Sequence, residues 1–248
     1  MIKKTLQTLT GTIDVAIPTS LHELRLGQLM AMQATDRLND LQAIHILSGV
    51  PLSELQQIQH FTDLQVFNDQ VTVLANEIKN LYNSSDIPET ITFYVANKPC
   101  VIKVIKNLSV EPAGAFMAAR DLIADEINKH ITLNGEGDWQ QTFNPSLQLC
   151  SQILAHYFYC RVTKLPYDEL PATEFTKEIE KLPVTVALPV AKYFFLSYPH
   201  LSKPKTGFWH HLHRLWNSVP ALKTLKLSGT LTRLMLWPAA ISPNGIIS

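Results

Sequence analysis

Few residues in this sequence have the type and spacing that catalysis or metal binding requires. The densest group is His210, His211 and His213. His210 and His213 lie three residues apart and would share one face of a helix, but a zinc or two-metal site would also need carboxylates or thiolates. No Asp or Glu follows Glu180. We therefore predict no metal site and interpret two of these histidines as the polar face of an amphipathic helix.

Other candidate groups give the same result. Cys150 and His156 belong to one predicted helix with Cys160, but a separation of six residues turns the first two to opposite sides, so they cannot share an ion. Acidic residues cluster on predicted helix faces that we expect to be solvated: Asp121, Asp125 and Glu126, and Glu174, Glu178 and Glu180. The chain has only nine glycines and no nucleophile elbow, phosphate-binding loop or dinucleotide-binding motif. We predict no catalytic residues and no cofactor.

Composition describes an ordered protein with unusually low charge. The 248 residues are 46% hydrophobic and 17% charged, and low charge favours a chain that shields apolar surface by assembly. The three cysteines form no CxxC pair, which fits a reducing compartment, and the N-terminus has no apolar stretch typical of a signal peptide. The best membrane candidate, residues 182–198, is too short and contains Lys192 and two prolines, so we predict no membrane span.

The distribution of charge divides the chain. All 21 acidic residues precede Lys181, whereas eight of the 21 basic residues lie at or after it. We predict a body of residues 1–200 and a basic amphipathic extension of residues 201–248. The candidate partner-binding residues in this extension are Phe208, Leu212, Trp216, Lys223, Lys226 and Arg233.

Three kinds of partner fit a basic, aromatic extension. Nucleic acid is disfavoured because the bases are spread apart and form no dense cluster. An anionic membrane surface is the second possibility. An acidic, apolar protein surface, including that of a neighbouring copy, is favoured by the low overall charge and the many leucines. Deleting residues 201–248 is then expected to leave a folded body that no longer associates.

The fold expected from hydrophobic periodicity is mainly α, an α+β protein with a small antiparallel sheet. Thr12–Ile17 alternates polar and apolar residues, and residues 91–105 read as a β-hairpin rich in β-branched and aromatic side chains. Because an isolated hairpin is marginal, we expect the first strand to join it as a third member. We also expect Phe93 and Val95 to face the core, so that Val95→Asp would unfold the protein.

The helices are predicted from apolar spacing and terminal signals, with residues 14–51 expected to organise the packing. Ser20 and Glu23 form a predicted capping box, and Gly49 is a predicted helix end. Further predicted helices are 38–48, 52–58, 62–82, 112–128 and 146–161, the last starting at Asn144-Pro145, with a turn at 134–137 between two very short strands. Residues 182–198 are predicted to form a buried, proline-broken helix.

Several short motifs resemble proteins of tailed phages. Ile17–Gln28, IPTSLHELRLGQ, is similar to their opening strand, proline and helix start, and Ile44–Val50, IHILSGV, is similar to their next helix end. Ile153–Tyr157, Tyr167–Glu169 and stretches within 182–196 resemble their later part. The resemblance covers about residues 12–200 and leaves the basic extension outside.

Tail-assembly chaperones of the tape-measure protein are the nearest role among the proteins that this chain resembles. The resemblance implies a non-enzymatic assembly protein that binds phage structural proteins or other copies of itself, in the host cytoplasm during assembly or in the virion. A virion connector, tail or baseplate component, with its extension packed on neighbouring subunits, is the alternative. A small soluble enzyme with an unrecognised site is a third.

Overall fold

Two β-hairpins and a larger set of helices form the fold. The computed structural model describes residues 1–36, 38–60, 62–81, 87–95, 98–105, 111–135, 139, 143 and 145–197. The strands are β1 (Ile2–Thr8), β2 (Gly11–Ile17), β3 (Thr90–Val95) and β4 (Lys98–Lys103). The helices are α1 (Leu26–Ala34), α2 (Asp40–Ser48), α3 (Leu52–Leu55), α4 (Thr62–Leu81), α5 (Ala113–Asn134), α6 (Leu147–Thr163), α7 (Glu169–Glu174), α8 (Thr176–Ile179) and α9 (Val184–Ser197). The mainly α fold with small antiparallel sheets is confirmed.

The strands form two separate sheets, so the expected three-stranded sheet is wrong. Strand β2 pairs with β1, from Ile2 opposite Ile17 to Thr8 opposite Gly11, and β3 pairs only with β4. Two residues separate β1 from β2, and Gly11 has a φ of 145°, which a residue without Cβ adopts readily. A link this short closes a much smaller loop than pairing with a strand some 75 residues away, so the local partner is favoured.

Strand β3 is confirmed, but the expected facing of Val95 is wrong. Ile91 and Phe93 are buried, whereas Val95 is 44% exposed. Val95 is two residues from Phe93 and so lies on the same side of the strand, but it is at the end of the hairpin, opposite Lys98. The body covers the middle of the strand and not its last residue, so Val95→Asp is expected to be tolerated.

The centre of the molecule is α6, not residues 14–51 as the sequence predicted. Most of its side chains are buried on every side, among them Leu149, Ile153, Leu154 and Phe158. It contacts α1, α5, α7, α8, α9 and both strands of the second hairpin. A helix that is apolar all round lies in the interior, and this one is the element on which the others pack.

Residues 14–51 are also tied by backbone hydrogen bonds to the chain at the start of α9. Leu26 donates its N–H to Leu182 O, and Val184 donates to Leu24 O, at 2.9 and 2.8 Å. A Cβ on Gly27 would lie 3.1 Å from Glu180 Cβ, so glycine allows this close approach of the two segments.

Two predicted helix starts are displaced. Helix α1 begins at Leu26, with Arg25 N–H bonded to Gln28 Oε1 at 2.9 Å, while residues 21–23 form a turn and the Glu23 carboxylate accepts the N–H of Thr19. Helix α6 begins at Leu147, because the Ser146 hydroxyl accepts the N–H of Leu149. In both cases a polar side chain at the observed start accepts a backbone N–H of the first turn or of the residue before it.

Three predicted helix ends are also settled by the structure. Helix α2 ends at Gly49, with a φ of 75°, as predicted. Helix α5 continues to Asn134, so the predicted short strand before the 134–137 turn is wrong. Helix α9 is buried, as predicted, but the expected break at proline is wrong, since the helix continues through Pro189.

Candidate protein-interaction surface

The outer face of the second hairpin, the side of β3 and β4 turned away from the body, is an exposed apolar surface. Its cross-strand pairs are Thr92 with Val101 and Tyr94 with Pro99. Tyr94 is 68% and Val101 63% exposed, and Pro99 is exposed beside them. Large apolar side chains that lie together on a surface mark sites where another molecule packs.

The first hairpin of the same molecule shows that this exposure is not a general property of its sheets. The outer positions of β1 are Lys3, Thr5 and Gln7, which are exposed, and those of β2 include Thr12 and Asp14. Thr5 donates a hydrogen bond to the Asp14 carboxylate across the strands. An antiparallel sheet with one solvated face normally alternates in this way, so the apolar outer face of the second hairpin departs from the rule.

The second hairpin is held on α6 by aromatic packing and by backbone hydrogen bonds. The Phe93 ring lies 5.2 Å from that of Phe158 and 5.8 Å from that of Phe175. At the end of β4, the Tyr157 hydroxyl accepts the N–H of Ile105 at 2.9 Å and donates to its carbonyl at 2.8 Å. The hairpin is therefore fixed to the central helix at two points.

Arg161 completes the hydrogen bonding of Tyr157. Its Nη1 donates to the Tyr157 hydroxyl at 2.8 Å, and its guanidinium lies 4.2 Å from the centre of the same ring. The hydroxyl thus uses its donor and two acceptor positions. Burial raises the pKa of Tyr157, while the charge of Arg161 opposes that rise, so the phenol stays neutral near pH 7.

Glu111 lies beside this cluster without a hydrogen bond. Both of its carboxylate oxygens are buried and have no partner in the described part of the chain. Loss of hydration raises the pKa of Glu111 to about 7, although the charge of Arg161 lowers it. This carboxyl is therefore partly protonated at neutral pH.

The Cys150 and His156 side chains have separate surroundings. Nδ1 of His156 lies 2.9 Å from the Tyr167 hydroxyl, and burial lowers the pKa of His156 although Glu169 raises it. Burial raises the pKa of the Cys150 thiol to about 12. A low thiolate fraction makes a cysteine unreactive. No set of three or more His, Cys, Asp or Glu residues suited to a metal ion occurs in the described residues.

The predicted acidic faces are only partly solvated. Asp121, Asp125 and Glu174 are exposed, as expected. The other three carboxylates are half-buried: Glu126, Glu178 and Glu180. Glu126 accepts the N–H of Ser146 at 3.1 Å, so it supports the start of α6.

The predicted partner-binding residues Phe208, Leu212, Trp216, Lys223, Lys226 and Arg233 lie outside the described residues, as do His210, His211 and His213. The division near residue 200 therefore stays a prediction. The residues of the second hairpin were not predicted as a site, although alternation in TITFYV places Thr92 and Tyr94 opposite the core-facing Ile91 and Phe93.

Comparison of the chain with protein-family models, curated proteins and solved structures gives no match. Among the described helices, none combines the length and apolar character needed to cross a membrane.

Proposed function

We propose that this protein is a non-enzymatic assembly protein that binds other protein chains. The observation that carries the proposal is the outer face of the second hairpin, where Tyr94 and Val101 are more than half exposed. Aromatic side chains on a preformed surface supply much of the binding energy of protein interfaces. Phe93 and Tyr157 fix this hairpin to the buried helix α6, so a partner would meet a surface that is already ordered.

The more specific role is that of a phage tail-assembly chaperone that binds the tape-measure protein or another phage structural protein. The motifs at Ile17–Gln28 and Ile44–Val50 support this role by resemblance. The basic residues after Glu180 add a second region that would bind an acidic surface and make association sensitive to salt.

A virion structural component is the second candidate, and the distribution of charge favours it. All acidic residues lie within residues 1–180, while the last 68 residues contain eight Lys or Arg and therefore have a positive net charge. Opposite charges on two parts of one chain allow each copy to place its extension on the body of the next.

The test uses the full chain co-expressed with the tape-measure protein of the same phage. Val101→Asp should abolish co-purification, because a charge would be placed in the apolar surface that binds the partner. Thr12→Asp, a change to the same charged residue at another exposed position, on the outer face of the first hairpin, is the matched control and should leave binding unchanged. Equal binding by both variants would refute the outer face as the binding surface.

Mass spectrometry of purified particles separates the two candidate roles. A chaperone should be missing from particles whose assembly requires it, whereas a structural component should be present in a fixed ratio to its neighbours. The same measurement on particles made with the Val101→Asp variant shows whether the hairpin is needed for assembly.

A further inference from the structure

The free edge of β3 presents an unused row of backbone groups. Val104 donates its N–H to the carbonyl of Glu89, its opposite residue, at 2.8 Å. Hydrogen-bonded pairs alternate along an antiparallel ladder, so Ile91 and Phe93 bond across to β4. Thr90, Thr92 and Tyr94 therefore direct their N–H and C=O groups away from β4, and these groups have no partner in the described part of the chain.

The two edges of this hairpin differ in their protection. Strand β4 carries Lys98 and Lys103, and Pro99 removes one of its outward N–H groups. Lysine and proline are the residues that block pairing at a sheet edge. Strand β3 reads Thr-Ile-Thr-Phe-Tyr-Val, without charge, proline or glycine. It combines high β-propensity with an open edge, so β3 is the edge at which another strand can add.

We propose that the strand added at this edge is β3 of a second copy of the chain, in antiparallel pairing about a twofold axis. The outward groups of one copy must meet those of the other, which limits the possible registers. A twofold axis at Thr92 pairs Thr90 with Tyr94 of the second copy and uses the whole strand. An axis at Ile91 would place Pro88, which has no N–H, opposite Tyr94, and an axis at Phe93 would leave Thr90 without a partner from β3.

This register brings no like charges together. Glu89, the charged residue next to β3, lies opposite Val95 of the second copy, and the lysines of β4 remain at the far edges. The pairing gives a four-stranded sheet of order β4-β3-β3-β4 with an apolar outer face continuous across both copies. Both of its outer edges carry Pro99 and the lysines, so growth stops at a closed dimer and does not continue as a fibre.

Self-association is assigned to the β3 edge, whereas partner binding under the proposed function uses the outer face. The two can therefore fail separately. Val101→Asp tests partner binding on β4, whereas the variants below change the edge of β3.

The experiment measures the mass of the full chain by sedimentation equilibrium over a micromolar to millimolar range. The wild type should approach twice its 27.9 kDa chain mass. Thr92→Lys and Thr92→Pro should reduce this to the monomer mass, because one places like charges across the twofold axis and the other removes the central N–H. Val101→Lys, on the neighbouring strand, should remain dimeric. A monomeric wild type, or a dimer that survives both Thr92 variants, overturns the proposal.

A crosslink tests the register without disturbing the fold. Directly opposed residues in a hydrogen-bonded pair have Cα atoms about 5.5 Å apart, which lies within the range of a disulfide. Oxidised Thr92→Cys should therefore give a dimer whose peptide map links position 92 to position 92. Thr5→Cys, on the outer face of the first hairpin, should give none. Absence of the link at position 92 under conditions that oxidise a model thiol overturns the assigned register.

Discussion

Glu111→Gln should remove a pH-dependent loss of stability. The pKa of Glu111 rises from 4.5 to about 7 on folding because both carboxylate oxygens are buried without hydrogen bonds. The folded state therefore holds this proton more tightly than the unfolded state does. The contribution of the protonated Glu111 to the free energy of unfolding is fully present below pH 4.5. It is lost as the pH rises towards 7, where the folded protein must ionise a desolvated group.

The magnitude follows from the size of this pKa change. At about 1.4 kcal/mol per pKa unit, the rise corresponds to an upper value of about 3 kcal/mol. Glu111 as a whole residue is partly exposed, and nearby solvent reduces the free-energy cost of ionising it. We therefore expect a loss of stability of about 1–2 kcal/mol between pH 5 and pH 8. Gln resembles the protonated acid in shape and cannot ionise, so the variant should lack this loss.

Urea unfolding at pH 5 and pH 8 measures the effect as the difference between wild type and variant at each pH. Using the difference cancels other titrations, including that of His156, whose lowered pKa reduces stability at low pH. Asp125→Asn, which removes an exposed carboxylate on α5, is the matched control for the loss of a charge. If the difference between wild type and Glu111→Gln is the same at both pH values, the carboxyl is not the source of the effect.

Two further substitutions test the packing of the hairpin and of α5. Phe93→Ala should destabilise the protein by about 3–5 kcal/mol in urea unfolding, because Phe93 is 3% exposed and packs against Phe158 and Phe175. A loss of stability as small as that expected at an exposed position would show that the hairpin does not pack on α6. Gly114→Ala should destabilise by about 1–3 kcal/mol, because its Cβ would lie 2.6 Å from Tyr167 Cδ1. Stabilisation, as is usual for alanine in a helix, would show that Tyr167 moves aside.

The sequence predicts elements whose pattern is local. The hairpin at residues 91–105 follows from β-branched and aromatic alternation, and the end of α2 follows from Gly49. The facing of Val95 does not follow, because parity alone cannot show where the body stops covering a strand. The partner of Thr12–Ile17 was missed because Lys3 and Lys4 give the start of β1 the pattern of an ordinary polar terminus.

The candidate surface could be predicted only in part. Alternation in β3 separates Tyr94 from Phe93, and the expectation that Phe93 faces the core is confirmed, but alternation does not show that the opposite face stays uncovered. Glu111 and Arg161 lie 50 residues apart in the sequence, and no spacing rule brings them together. Their proximity depends on how the chain around Glu111 meets α6, which is a property of the tertiary packing.

The sequence predicts helix α6 as an element but not its position at the centre of the fold. A helix buried on all sides has no polar face, so its apolar residues show no stripe. Its exceptions are polar groups with defined tasks: Tyr157 bonds both backbone groups of Ile105, and His156 lies against Tyr167. Because Tyr157 and Phe158 of this one helix fix the hairpin at two points, the exposed Tyr94 and Val101 are held in place by a largely buried helix. A partner that binds them would lose little free energy in ordering the surface.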